Sequence, residues 1–167
     1  MNQLEPPDSH YLNAAQGWLE LGSAVEAVQE LRHIATENAR HPDVLELHWS
    51  IQANQKRWEE ALVLARQIIA AAPERCSGWI DQSYALHELK RTAEAREQLL
   101  TVTDKFPGVA IIPYNLACYC CQLGDPPAAR QWLEKAMKAG SGAHIRRMAM
   151  EDADLQPMWP EIQRMKA

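Results

Sequence analysis

The side chains best suited to chemistry crowd together near residue 120. Cys118, Cys120 and Cys121 fall within four residues, and His87 stands 34 positions before Cys121. Cys118 and Cys121 are three apart, so on a helix they share a face. Two thiolates and an imidazole are ligands that zinc takes tetrahedrally. Glu88 or Tyr84 is the nearest candidate for a fourth, but no complete ligand set is evident. The plainer reading makes Cys118 and Cys121 small residues on an accessible helix face and Cys120 a core residue, because free cysteine packs as a small hydrophobe. No metal and no cofactor is expected; His87, Cys118 and Cys121 are the only candidates if one binds.

Other chemistry is sparse. Carboxylates pair at Glu59-Glu60 and Glu151-Asp152. The first pair sits at a helix start, where negative charge complements the dipole; a solvated face is the better reading than an acid–base pair. Nothing resembles a nucleophile elbow, a phosphate loop or a zinc-protease helix, and the seven glycines are dispersed. The chain therefore reads as non-catalytic. Of the six tryptophans, Trp18, Trp58, Trp79 and Trp132 fall at helix positions that face a neighbouring helix. They read as core rather than as a ligand cage.

These residues are positioned by a repeat. Ala27, Ala61, Ala95 and Ala129 are each 34 residues apart, and a period of roughly 20–50 residues marks a repeat architecture. Each alanine follows a turn and opens a helix. Four residues on come Leu31, Ala65, Leu99 and Leu133; seven on come Ile34, Ile68, Val102 and Ala136. That is one helical face. Pro73 and Pro107 close the second and third units. Asp8 or Ser9 can cap the first helix, Ser23 with Glu26 forms a capping box for the second, Thr92 can cap a later one, and Asp125 with Pro126 opens another. The second helix is expected to run to about Asn38, and residues 1–7 look like a loose lead-in.

The pattern resembles the tetratricopeptide repeat (TPR), a 34-residue helix–turn–helix unit. Bulky residues stand early in the first helices (Tyr11, Leu45, Trp79), and small ones where paired helices cross (Ala15, Ser83, Ala117). The resemblance covers about residues 8–141. The second repeat departs most: Trp49 stands where a small residue is usual, and His48 and Gln82 where an aliphatic one is. The resemblance implies an all-α fold, a right-handed superhelical solenoid of four repeats in a single domain. Their bounds are about 8–41, 42–75, 76–109 and 110–142. A C-terminal cap follows over 143–167. Its apolar set, Met148, Leu155, Met158, Trp159 and Ile162, suits covering the open face of the last repeat. The stretch Asp152-Ala153-Asp154-Leu155-Gln156-Pro157 also resembles an acidic tail that follows many bacterial units of this type. A short partner-binding motif is the alternative role for it.

Composition narrows the partners. The formal charge is −5, with 17 basic residues scattered through 167; a nucleic-acid binder would need a basic stripe. No run approaches the ~18 apolar residues of a membrane span, and the start lacks a signal peptide's basic and apolar regions. Three crowded cysteines make a poor disulfide framework and fit a reducing compartment. A cytoplasmic protein is expected.

In this family the first helix of each unit lines a concave groove that binds peptides or protein segments. The residues expected to line it here are Leu12, Asn13, Gln16 and Leu19; Glu46, Ser50 and Asn54; Ile80, Asp81, Tyr84 and His87; and Tyr114, Asn115, Cys118 and Cys121. Members that hold acidic C-termini use lysine, arginine and asparagine in the groove. The matching positions are Leu12, Gln16, Ser50 and Ile80, so only nearby Asn115 would serve. The expected partner is a protein or peptide segment with apolar anchors and basic residues, with contact between copies of the chain as an alternative. A small metal- or thiol-dependent protein and a secretion-type chaperone stay open as other functions.

Overall fold

A computed structural model describes residues 3–165, and every regular element in it is helical. Met1 and Asn2 of the lead-in and Lys166 and Ala167 of the cap lie outside the described residues. The helices are α1 (Asp8–Glu20), α2 (Ala24–Leu31), α3 (Pro42–Asn54), α4 (Trp58–Ala71), α5 (Ser77–Glu88), α6 (Thr92–Leu100), α7 (Ile111–Gln122), α8 (Pro126–Ala139), α9 (Gly142–Glu151) and α10 (Trp159–Ile162). Short 3₁₀ turns lie at Thr36–Asn38 and Ala153–Met158. The chain forms two compact units, residues 1–85 and 86–167, with the boundary inside α5.

In the first unit α1 packs on α2 and α3 on α4. Its core includes Ala15, Ala27, Leu31, Val44, Leu47 and Ile51, and Leu4 joins it at 6% exposure. The lead-in is therefore anchored by Leu4 rather than loose throughout. In the second unit α7 packs on α8, α6 lies against α7, and the 153–158 turn lies against α7 as well. Ala27, Ala61, Ala95 and Ala129 all have zero exposure, as the register requires.

The period is also written in the backbone. Trp18, Gln52, Leu86 and Cys120, 34 apart, each accept a bond from the N–H five residues on, at Ser23, Arg57, Arg91 and Asp125, all at 2.9 Å. One residue earlier, the N–H groups of Gly22, Lys56, Lys90 and Gly124 bond three residues back. This paired pattern is the Schellman ending, and it needs a left-handed residue just past the helix. Those residues are Gly22 (φ 80°), Lys56 (φ 56°), Lys90 (φ 64°) and Gly124 (φ 77°). A side chain in that region costs roughly 1–2 kcal/mol, and both lysines are exposed. Lys56→Gly and Lys90→Gly are each expected to stabilise by up to about 1 kcal/mol, net of glycine's extra unfolded-state entropy. A thermal midpoint below the parent's would contradict this.

Several expected caps differ. Ser23 precedes α2 but its hydroxyl caps nothing. Thr92 is the first residue of α6, and its hydroxyl lies 3.0 Å from His87 Nδ1 instead. Asp8 opens α1 but turns away, accepting from the Ala35 N–H at 3.2 Å and from Asn38 Nδ2 at 2.7 Å. These bonds tie the start of α1 to the chain beyond α2, and the second helix ends at Leu31 rather than near Asn38. Asp125 caps α8 as expected, accepting from the Ala128 N–H at 3.1 Å. The tryptophans are a further correction. None is fully buried, and Trp18 is 39% exposed, because an indole is too large for the close helix crossings that the alanines occupy.

Candidate functional site

In the first unit one face of α1 meets one face of α3. Leu12, Asn13 and Gln16 project at helical spacing from α1; Asp43, Glu46, Leu47 and Ser50 project from α3. Together they line a cleft of about 320 Å³. Five of these seven are expected groove residues. The other two were missed, although Asp43 lies three positions, and Leu47 one, from Glu46, and one helical turn reaches both.

The cleft is acidic on the α3 side. Glu46 accepts from Ser77 Oγ at 2.5 Å, and its backbone carbonyl accepts from Ser50 Oγ at 3.0 Å. Arg75 bonds Asp43 and lies 3.5 Å from Glu46, so one guanidinium serves two carboxylates. Asp81 adds a third: burial first, and then the charge of Glu46, push its carboxyl up to about 7. Like charges held close disfavour joint ionisation. A cation from outside would relieve that repulsion.

The remaining expected residues of this unit do not line that cleft. Leu19 and Ile80 are half-buried and Asn54 is exposed. Tyr84 is 39% exposed and meets the edge of Trp58, with ring centroids 5.6 Å apart.

The second unit is arranged differently. His87, Tyr114, Asn115, Cys118 and Cys121 are all buried, none above 9% exposure. The tail lies on them. Tyr114 donates its hydroxyl to Asp152 Oδ2 at 2.8 Å, and the Cys118 thiol lies 3.5 Å from the same oxygen. His87 Nε2 lies 2.9 Å from Asp154 Oδ2, and Gln122 donates to the Asp154 carbonyl at 2.9 Å. His87 also stacks on Tyr119, with centroids 5.0 Å apart. Leu155, Met158 and Ile162 are buried to 2% or less. The helix face expected to receive a partner thus receives the chain's own residues 152–154. Asp152 and Asp154 were missed as partners of this face; the hydroxyl, imidazole and amide that Tyr114, His87 and Gln122 bring to it, each needing a partner once covered, were the available signal.

The same contacts bear on the cysteines. Burial, then the carboxylates of Asp152 and Asp154, push the Cys118 thiol far up, and the Cys121 thiol is raised by burial and the same two acids. Burial raises Cys120 as well. The thiolate is the reactive and metal-binding form, so all three are held as thiols. Among the described residues no group of three or more His, Cys, Asp or Glu side chains could hold a metal ion. Alkylation with iodoacetamide at neutral pH is expected to modify half-buried Cys76 first and the other three only on unfolding. Modification of Cys118 or Cys121 as fast as Cys76 would contradict that.

Paired antiparallel helices ended by the same backbone motif every 34 residues, with one helix face carrying the cleft, define a helical-repeat fold of the tetratricopeptide type. Solved structures share this fold. A thermophilic TPR protein from Thermus thermophilus, TTC0263, superposes with a TM-score of 0.76 at 18% identity over 94% of this chain and 84% of that one. Residues 41 to the end of MamA from Desulfovibrio magneticus RS-1 match with a TM-score of 0.71 at 18% identity, over 96% of each chain. YrrB, described as a TPR protein with an unusual peptide-binding site, matches with a TM-score of 0.68 at 15% identity over 87% of this chain and 75% of that one. No protein-family model and no curated protein matches.

Proposed function

We propose that this chain is a non-catalytic interaction module that holds a protein or peptide segment in the α1–α3 cleft. The observation that carries this reading is the convergence of Leu12, Asn13, Gln16, Glu46 and Ser50 on one cleft. Leu12 supplies apolar surface, with core residue Leu47 at the base of the cleft. Asp43 and Glu46 supply negative charge that the single Arg75 guanidinium offsets only in part. A segment with leucine-like anchors and lysine or arginine beside them complements both features. The peptide-binding site named for YrrB supports the general role. Four free thiols suit a reducing compartment such as the cytoplasm. A role for a free thiolate has the upward shift of the Cys118 and Cys121 thiols against it.

The test is a calorimetric titration with a synthetic amphipathic peptide of leucine and lysine. The parent is expected to bind it, and Leu12→Glu to weaken binding at least about tenfold, the loss of one well-placed apolar anchor. Leu12 is half-buried and packs against the edge of the core, so the helical spectrum of Leu12→Glu is compared with the parent's, and Leu12→Ala, gentler to the fold, is expected to weaken binding in the same direction. Affinity unchanged in a folded Leu12→Glu variant would overturn the reading.

A further inference from the structure

A second cleft, of opposite charge, lies in the second unit. It has a volume of about 380 Å³, and its walls come from the loop after α6, the start of α7 and the last turns of α8. Phe106, Ile112, Pro113 and Trp132 give it apolar walls, and Lys135 and Lys138 stand on its rim. Trp132, Lys135 and Lys138 are three apart on α8, so they form one face. The Lys135 ammonium sits 3.8 Å from the centroid of the Trp132 ring, and the Lys105 ammonium 5.4 Å from that of Phe106.

The charge here runs against the chain's net −5. Asp104 is the one carboxylate in the lining. Glu134 does not neutralise the rim, because Arg130 takes it at 3.0 Å while also pairing with Glu161 at 2.6 Å. Among the described residues neither Lys135 nor Lys138 has a carboxylate within salt-bridge reach. Both can therefore take new acids without breaking an existing pair. The uncapped start of α7 adds the partial positive charge of a helix N-terminus to the same wall. A cleft near the lower end of the roughly 300–1,000 Å³ of ligand sites suits one large side chain rather than a whole cofactor.

We propose that this cleft binds an acidic linear segment of a partner protein, seating one aromatic side chain between Phe106 and Trp132 with carboxylates on Lys135 and Lys138. An aromatic guest gains edge or face contact with both rings. Flanking carboxylates replace the rings as partners of the ammonium groups, which are only partly desolvated there. The α1–α3 cleft would repel the same segment through Asp43 and Glu46, so the two clefts sort partners by charge.

The probe is a blocked pentapeptide with phenylalanine between pairs of glutamate and aspartate, titrated into the full chain. Amide shifts in a ¹⁵N spectrum are expected at residues 103–106 and 112, and at the Trp132 indole. Replacing the phenylalanine by alanine, or the acids by their amides, is expected to weaken binding at least about tenfold. Lys135→Glu with Lys138→Glu is expected to do the same with the helical spectrum unchanged. The pair Lys135→Gln with Lys138→Gln, gentler to the fold, is expected to weaken it at least about threefold. Saturable shifts confined to other residues, no saturable shift, or unchanged affinity in either folded pair would each overturn the proposal. So would phenylacetate binding as tightly as the pentapeptide, which would make this a small-molecule site.

Discussion

Ala95→Leu is expected to lower stability by about 1–3 kcal/mol or more, the usual cost of forcing extra methylenes into a packed interior. Ala95 has zero exposure on α6 and occupies the same register position as Ala27, Ala61 and Ala129, all equally excluded. Leucine cannot be accommodated there by a change of rotamer alone, because a helix crossing fixes the distance between backbones. At roughly 2–4 °C per kcal/mol for a chain of this size, the thermal midpoint drops by several degrees. Glu97→Leu, at an exposed position on the same helix, is the control and is expected to change little. Equal midpoints for the two variants would mean that the alanine register does not mark the close crossings.

Deleting residues 143–167 is expected to give an insoluble or oligomeric product. The cut removes Ile145, Leu155, Met158, Ile162 and Met165, each at 8% exposure or less. Burying such a side chain contributes about 1.5–3 kcal/mol, so the set is of the order of a domain's whole net stability, about 5–15 kcal/mol. The cut also uncovers Tyr114 and Cys118, now at 4% exposure, and leaves Tyr114 and His87 without their acceptors. Leu155→Ala tests the point inside a full-length chain. It is expected to cost about 2–5 kcal/mol. A monomeric, fully stable truncation would show that the tail covers nothing essential.

The helix pairs were legible because a 34-residue period needs only local information: a turn, a small residue and an apolar stripe. The caps were less so. Ser23 and Thr92 have the right chemistry, but the left-handed residue before each turn already sets the entry to the next helix, and Thr92 faces His87 instead. Gly22 and Gly124 hinted at that left-handed position, whereas Lys56 and Lys90 hid it. The tryptophans misled because hydrophobicity alone put them inside, while their size keeps them at the margins.

The candidate cleft was legible in one unit, and the covered helix face of the other was not, for a single physical reason. Leu12, Gln16, Glu46 and Ser50 depend on two adjacent helices whose register the repeat dictates. Tyr114, Cys118 and His87 depend on where residues 152–154 return, a contact about 30–70 positions away along the chain that no periodicity encodes. The tail's apolar residues indicated a cap. Its two aspartates, which find the hydroxyl, thiol and imidazole of the covered face, gave no local sign of their target.

The most direct measurement is the amide-shift map of the full chain during titration with the leucine–lysine peptide. Shifts that saturate together and cluster on residues 12–16 and 43–50, and that vanish in Leu12→Glu, are the predicted result. Saturating shifts confined to other residues, or a map unchanged by Leu12→Glu, would contradict an α1–α3 binding cleft.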